Sequence, residues 1–467
     1  PQEAVTMEVN DYLVVAMFVT FIALLFTGFP IAWVLGGTAV IFTGVGMLAD
    51  IYLDAFTGID YLVFSMSVER IYRLMYNWVL VALPMFIFMG LMLDRSGIAE
   101  RMMTSMQNLF SKVHGGLAVT VCLIGIILAA STGIIGASVV LLGLLTIPAM
   151  MKQGYAKSFA VGTVAGSGTL GILIPPSIML VIMADQLALS VGDLFMGAVF
   201  PGLILGVLYI AFIMLYGLLK PKSVPLDPAR KPLQLKMLWD VVKDILPAGL
   251  LIFAVLGSIF AGITTPTEAS GVGALGAIIL AAINKKFNWT VLKEVTAACF
   301  NTSAYIYGIL IGATAFALVL RSLGGDEFIE RILTSLPFGP YGIMIFILFC
   351  VFLLGFFLDW IEITLIILPL VAPVVEGLGL PIDGYGVVDN PTLVWFTILI
   401  AVTLQTSFLS PPVGFALFYL KGICPPEVTL GDIYKGVIPF IVLQLIGMLI
   451  IAYWPQLVIW LPAVAYR

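Results

Sequence analysis

The amino-acid sequence predicts an all-α polytopic membrane protein. Of its 467 residues, 61% are hydrophobic and only 10% are charged, whereas soluble domains carry about 25% charged residues. Apolar runs long enough to cross about 30 Å of hydrocarbon recur along the chain, for example at 12–28, 194–219 and 437–461. The sequence shows no alternating strand pattern with regular turns. Helices must therefore satisfy the backbone polar groups inside the bilayer.

A long polar segment divides the chain into two halves that resemble each other. Segment 220–244 carries more lysine and arginine than aspartate, and the positive-inside rule assigns it to the cytoplasm. Three motifs recur in the same order: 97–105 matches 327–335, Ile174-Pro175-Pro176-Ser177 matches Ser410-Pro411-Pro412-Val413, and Gly192-Asp193-Leu194 matches Gly431-Asp432-Ile433. Collinear matches of this kind indicate an internal duplication.

The predicted organisation is an inverted repeat. In chain order we predict N-terminal transmembrane helices in 1–60, a first inverted repeat in 61–219, the cytoplasmic loop 220–244, linking helices in 245–302 and a second inverted repeat in 303–467. Because two linking crossings separate the copies, the first starts outside and the second starts inside. Within the repeats we expect re-entrant hairpins at 115–150 and 339–376 and broken transmembrane helices at 158–189 and 392–424.

The distribution of positive charge supports this topology. Every lysine falls on the predicted inside, and the basic residues that fall outside are Arg70, Arg73, Arg321, Arg331 and Arg467. The same topology places both termini in the periplasm.

Two prolyl pairs are expected to break apolar segments and to free backbone carbonyls. Each proline of Pro175-Pro176 and Pro411-Pro412 removes an amide donor and clashes with the carbonyl four residues earlier. The freed carbonyls should include those of Gly171, Ile172, Ser407 and Phe408. Such groups are costly in lipid unless a partner replaces the lost hydrogen bond, and a sodium ion is such a partner. A kink used only for packing is the alternative, and the matching positions in both copies disfavour it.

We therefore predict that the breaks and the hairpin tips bind Na+ as a transported coupling ion. The candidate ligands are small or hydroxyl-bearing residues and one carboxylate: Ser131, Gly168, Thr169, Gly171, Pro175, Asp359, Thr406, Ser407, Pro411 and Gly414. A carboxylate at the depth of Asp359 is normally paired or functional, although Asp359 can instead be a hairpin-capping residue. Glu362, three residues later, is expected to be satisfied by the hairpin itself. The candidate substrate contacts are Thr132, Ser167, Ser177 and Ser410.

These motifs resemble the large membrane subunit of the tripartite ATP-independent periplasmic (TRAP) transporters. The similarity is carried by 154–177, by Thr264-Thr265-Pro266-Thr267-Glu268-Ala269 and by 410–414, and it extends over nearly the whole chain. Segments 77–84 and 357–362 resemble the mannitol/chloroaromatic-type branch. Trp360-Ile361-Glu362 departs from the commonest pattern, in which small hydroxyl residues follow the aspartate.

The resemblance implies a sodium-coupled symporter of the bacterial inner membrane that works by an elevator mechanism and imports an organic anion. Each repeat would contribute scaffold helices, a hairpin, a broken helix and an arm helix, the arms lying at 98–112 and 326–336. Two partners are also implied: a small four-helix membrane subunit and a periplasmic binding protein that delivers a carboxylate-bearing substrate. The chain has no Gly-x-x-x-x-Gly-Lys-Ser/Thr loop, so ATP is not expected to drive transport.

Other function classes fit the sequence less well. A proton-pumping subunit needs ionisable residues through the midplane, and no lysine is predicted there. An intramembrane metalloprotease needs a His-Glu-x-x-His motif, but the chain has a single histidine, His114. No enzyme activity is therefore expected. An ion-coupled transporter or channel of the same architecture that acts without a binding protein remains the alternative.

Overall fold

The computed structural model describes residues 8–132, 135–227 and 234–465, apart from the side chains of 129–132, 135 and 137. Throughout these residues the regular structure is helical and no β-strand occurs. Nine of the helices in this part are long and apolar enough to cross a membrane. The prediction of an all-α polytopic membrane protein is confirmed.

Twelve helices lie before residue 284. In chain order they are α1 Val9–Leu25, α2 Ile31–Leu53, α3 Tyr61–Tyr76, α4 Ala82–Arg95, α5 Ile98–Leu109, α6 Gly116–Thr132, α7 Ile135–Lys152, α8 Lys157–Thr169, α9 Ile178–Gln186, α10 Val191–Leu219, α11 Leu235–Phe260 and α12 Pro266–Ile283. Short 3-10 turns, Trp78–Val81 and Leu170–Ile172, precede α4 and follow α8.

Nine further helices complete the chain. They are α13 Trp289–Ser322, α14 Gly325–Ser335, α15 Pro340–Leu354, α16 Trp360–Glu362, α17 Leu368–Gly377, α18 Pro391–Leu409, α19 Phe415–Ile423, α20 Leu430–Tyr453 and α21 Gln456–Ala465. A π-helical turn, Ile363–Ile367, joins α16 to α17. Helices α5 and α14 occupy the stretches expected for arm helices.

The contacts divide the chain into two compact units. The first unit comprises the chain up to Trp78 together with Asn301–Ile347 and Ile361–Leu380. The second comprises Val79–Phe300, Leu348–Trp360 and the chain from Pro381 onward. Each unit thus combines segments from both halves of the sequence.

The first unit is held by aromatic packing and by one ion pair between distant helices. In its core the ring of Phe316 on α13 contacts Phe21 and Phe18 on α1, with centroid separations of 5.3 and 6.0 Å. At the start of α1 the buried carboxylate of Asp11 pairs with Arg331 on α14. Because one partner is buried, breaking this pair is more costly than breaking an exposed one.

The second unit contains close helix crossings at small residues. Helix α8 packs against α7 and α20, and α4 packs against α12. A Cβ atom added to Gly162 on α8 would lie 2.0 Å from the carbonyl oxygen of Gly436 on α20. Glycine is therefore required for the two backbones to approach this closely, as at many crossings of membrane helices.

Two helices of the second unit are interrupted at the prolyl pairs. Helix α8 ends at Thr169, the 3-10 turn follows, and α9 begins at Ile178. In the second half, α18 ends at Leu409 and α19 begins at Phe415. The peptide bonds Pro175-Pro176 and Pro411-Pro412 are both cis, a feature that the sequence pattern did not indicate. We call residues 170–177 the first interruption and residues 410–414 the second interruption.

Candidate functional site

The candidate site residues that the structure describes all lie in the second unit. Helix α18, which leads into the second interruption, packs against α8, against the 3-10 turn of the first interruption and against α9. The fold thereby brings together residues that are more than two hundred positions apart in sequence. The side chains of Ser131 and Thr132 fall outside the described residues.

The first interruption is capped by its own serine. The hydroxyl of Ser177 donates to the carbonyl of Ile172 at 2.6 Å and accepts a bond from the amide of Leu180 at 3.4 Å. The Ile172 carbonyl, expected to lack a partner, therefore has one. Because a carbonyl oxygen can accept two hydrogen bonds, this does not remove it as a possible cation ligand.

The end of α8 is packed against the second helix of the first predicted hairpin. A Cβ atom added to Gly168 would lie 2.6 Å from the side chain of Val139 on α7. The neighbouring Thr169 donates its hydroxyl to the carbonyl of Gly166 at 2.9 Å. Gly168 thus allows α7 to approach, and Thr169 keeps an oxygen lone pair available.

The second interruption closes in a similar way. The amide of Ser410 donates to the carbonyl of Ser407 at 3.0 Å, and its hydroxyl donates to the carbonyl of Thr406 at 2.8 Å. The prediction that the Ser407 carbonyl lacks a partner is therefore wrong. The reason is that the last turn of α18 tightens into a bond between residues three apart, which is a common way to satisfy helix ends.

The serine hydroxyls at both interruptions are thus already donated to the backbone. A substrate anion needs donors, whereas Ser177 and Ser410 direct their hydrogens to carbonyl groups. Both serines are candidate substrate contacts. Their hydroxyls can donate to an anion only after their hydrogen bonds to the backbone carbonyls are broken. Ser167, a third candidate, is fully buried on α8.

Ser407 connects α18 to the end of α15. Its hydroxyl donates to the carbonyl of Phe352 at 2.8 Å. Close by, a Cβ atom on Gly355 would lie 2.6 Å from the Ser407 hydroxyl oxygen. Gly414, which precedes α19, has φ +52° and would place a Cβ atom 3.0 Å from the carbonyl oxygen of Ser410. Both the backbone conformation and the lack of space favour glycine there.

Asp359 caps the helix that follows it. One oxygen of its carboxylate accepts a hydrogen bond from the amide of Trp360 at 2.8 Å. Tyr419 on α19 is close enough to Asp359 for the two to interact electrostatically. The ring of Tyr419 also lies 3.0 Å from the position that a Cβ atom on Gly136 of α7 would take. Sequence reasoning did not single out Tyr419, because an aromatic residue in an apolar helix gives no distinctive pattern.

The available oxygen atoms suit a hard monovalent cation. They comprise the hydroxyl oxygens of Thr169, Thr406 and Ser407, backbone carbonyls at both interruptions and the carboxylate of Asp359. Among the described residues no group of three or more histidine, cysteine or acidic side chains forms a possible metal site. Oxygen ligands of this type favour hard ions over transition metals.

Comparisons with known proteins agree with this architecture. The family model described as "Tripartite ATP-independent periplasmic transporter, DctM component" matches residues 18–457. The C4-dicarboxylate TRAP transporter large permease protein DctM of Vibrio cholerae is 28% identical, over 96% of this chain and 97% of that protein. The ectoine TRAP transporter large permease protein TeaC of Halomonas elongata is 26% identical, over 97% of this chain and 99% of that protein.

A solved structure shares the fold. The crystal structure of the Alcanivorax borkumensis YdaH transporter superposes with a TM-score of 0.54 at 12% identity, covering 82% of this chain and 88% of that one. The likeness at this identity concerns the fold alone. Because the family model matches most of the chain, this protein belongs to the DctM component family of the tripartite ATP-independent periplasmic transporters.

Proposed function

We propose that this chain is the permease of a sodium-driven importer of an organic anion, a carboxylate or a related acid. The main support is the packing of α18 against α8, the first interruption and α9 within one unit. This arrangement collects neutral oxygen atoms from both halves of the sequence at two interrupted helices. Interrupted helices are the usual place for coupling ions in secondary transporters.

The class of substrate is proposed from the relatives. Their names specify C4-dicarboxylate in Vibrio cholerae, sialic acid in another Vibrio cholerae permease and ectoine in Halomonas elongata. All three of these substrates carry a carboxylate, ectoine as a zwitterion. An organic acid is therefore the proposed class, and the resemblance of 77–84 and 357–362 to the mannitol/chloroaromatic-type branch does not narrow it.

The proposed mechanism is an elevator in which the unit that carries the site moves as one body. In this scheme Na+ binds to the carbonyl and hydroxyl oxygens at the two interruptions, with Asp359 contributing charge. The proposed topology is an inverted repeat with two re-entrant hairpins and both termini in the periplasm. The proposed partners are the small four-helix subunit and a periplasmic binding protein that delivers the substrate.

Uptake by proteoliposomes that contain the permease, the small subunit and the binding protein tests the proposal. We expect uptake only with an inward sodium gradient. Equal uptake in potassium buffer with a proton gradient would refute sodium coupling. Equal uptake without the binding protein would favour the alternative of a transporter or channel that acts without one.

A further inference from the structure

A group of buried polar side chains lies inside the second unit, on the helices that lead into both interruptions and on two long helices beside them. We call it the polar cluster: Ser167 and Thr169 on α8, Tyr209 on α10, Gln405 on α18 and Gln444 on α20. Each of these residues is 0% exposed. Polar side chains placed this deep in apolar helices require partners.

The side chains of the cluster lie within reach of one another, but several of their polar atoms lack a well-aligned hydrogen bond. The hydroxyl of Tyr209 interacts with the amides of Gln444 and Gln405 and with the hydroxyl of Thr169. The bond from Nε2 of Gln444 to Oγ1 of Thr169 is long, at 3.5 Å. Five atoms form no hydrogen bond with other described residues: the Tyr209 hydroxyl, Nε2 and Oε1 of Gln405, Oε1 of Gln444 and Oγ of Ser167.

The cluster extends toward α6 through a thiol. Cys122, which is fully buried, interacts both with Ser167 and with Tyr209. Cys122 therefore links Ser167 to the other members of the cluster. The cluster thus spans the helices that lead into both interruptions, α8 and α18, and the two long helices packed beside them.

The energetic cost decides how these polar groups must be satisfied. Each unsatisfied buried donor or acceptor costs about 1–3 kcal/mol, and several such groups meet at one place. A water molecule satisfies donors and acceptors together and typically forms about three hydrogen bonds in a buried site. A cation would satisfy the oxygens but would leave the amide hydrogens of Gln405 without an acceptor. The cluster also contains no carboxylate to offset the charge.

We propose that the polar cluster encloses ordered water, which bridges α8, α10, α18 and α20. This water joins the helix before the first interruption to the helix before the second. It thereby positions Thr169 and the turn of α18 that carries Thr406, both candidate sodium ligands. The two interrupted helices are held together by hydrogen bonds as well as by apolar packing.

Radiolytic footprinting of the full chain in lipid nanodiscs detects such water. Irradiation generates hydroxyl radicals from water beside a side chain, and mass spectrometry locates the oxygen that is added. Trp395 is the matched control, because it is equally buried and its only polar atom already donates to the carbonyl of Ile451 at 2.9 Å. We expect Tyr209 to be labelled several-fold faster than Trp395, in sodium and in potassium buffer alike.

Two outcomes would overturn the proposal. Labelling of Tyr209 as slow as that of Trp395 would show that the cluster is dry. Labelling of Tyr209 that appears only when sodium is removed would identify the occupant as a cation.

A second test is whether the substitution Gln405→Leu lowers or raises the melting temperature. In a hydrated cluster, Gln405→Leu removes a partner and leaves the remaining groups unsatisfied, so the melting temperature falls. In a dry cluster the same change removes two unpaired atoms, and the melting temperature rises. Gln456→Leu, at an exposed position on α21, is the control and should leave the melting temperature unchanged. An unchanged or raised melting temperature for Gln405→Leu would overturn the proposal. Neither measurement requires transport, so both are independent of the proposed function.

Discussion

Asp359 has a capping role in the structure and a proposed sodium role, and one substitution separates the two. Asparagine caps a helix about as well as aspartate, so Asp359→Asn should retain the bond to the Trp360 amide. If the charge helps to hold Na+, the half-saturation concentration of sodium for uptake should rise several-fold, about 1.4 kcal/mol for each factor of ten. Sodium titration of uptake measures it.

The control for this experiment is a carboxylate in an exposed loop that also accepts a hydrogen bond from a nearby backbone amide. Asp383 accepts a hydrogen bond from the amide of Tyr385 at 2.8 Å, and Asp383→Asn removes an equal charge. It should leave the sodium dependence unchanged. An unaltered half-saturation concentration in Asp359→Asn would assign Asp359 to capping alone.

Ser407 makes the bond that joins the second interrupted helix to the end of α15. Ser407→Ala removes the 2.8 Å bond to the Phe352 carbonyl, so the free energy of unfolding should fall by about 1 kcal/mol. A thermal-unfolding assay measures the change. Ser335→Ala is the control, because the Ser335 hydroxyl is exposed and bonds only within its own helix. Equal melting temperatures for both variants would contradict a stabilising role for the Ser407 bond.

At the scale of the element, the two interruptions show how far sequence reasoning extends. The positions of the prolyl pairs in the sequence predicted where α8 and α18 end, because each proline removes a backbone amide donor at a known position. The closing bonds of Ser177 and Ser410 could not be predicted, since they depend on side-chain rotamers. Gln405 and Gln444 are recognisable in the sequence as amide side chains within apolar helices. Their proximity could not be predicted, because it depends on how α18 and α20 pack.

The crossing of α8 and α20 requires glycine and gives a prediction at the same scale. In Gly162→Ala the new methyl group would collide with the backbone of Gly436, so the helices must separate and lose packing. We expect a lower melting temperature, with a cost of about 1–3 kcal/mol typical of overpacking. Gly271→Ala on α12 is the control, because nothing lies within 4 Å of its added Cβ. A melting temperature for Gly162→Ala equal to that of the control would contradict the requirement for glycine at this crossing.

At the scale of the whole molecule, neither unit is a continuous stretch of sequence. The first unit takes its helices from the N-terminal segment and from two later segments. The boundaries inside α13 and α15 have no composition shift, linker or turn to mark them, because both helices continue through them. Apolar runs predicted an all-helical membrane protein, but grouping the helices requires contacts between residues far apart in the chain.

The last prediction is that the chain does not take up free substrate without a binding protein, either alone or together with the small subunit. In the proposed scheme the binding protein captures the organic anion and delivers it, while the permease contributes the ion sites at the interruptions. Proteoliposomes containing this chain and the small subunit should therefore show no sodium-dependent uptake of the anion bound by the cognate binding protein. Adding the binding protein should restore uptake, and adding a binding protein for an unrelated solute should not. Rapid sodium-dependent uptake without any binding protein would instead indicate that the permease recognises substrate by itself, as in transporters that use the same interrupted-helix sites for both ion and solute.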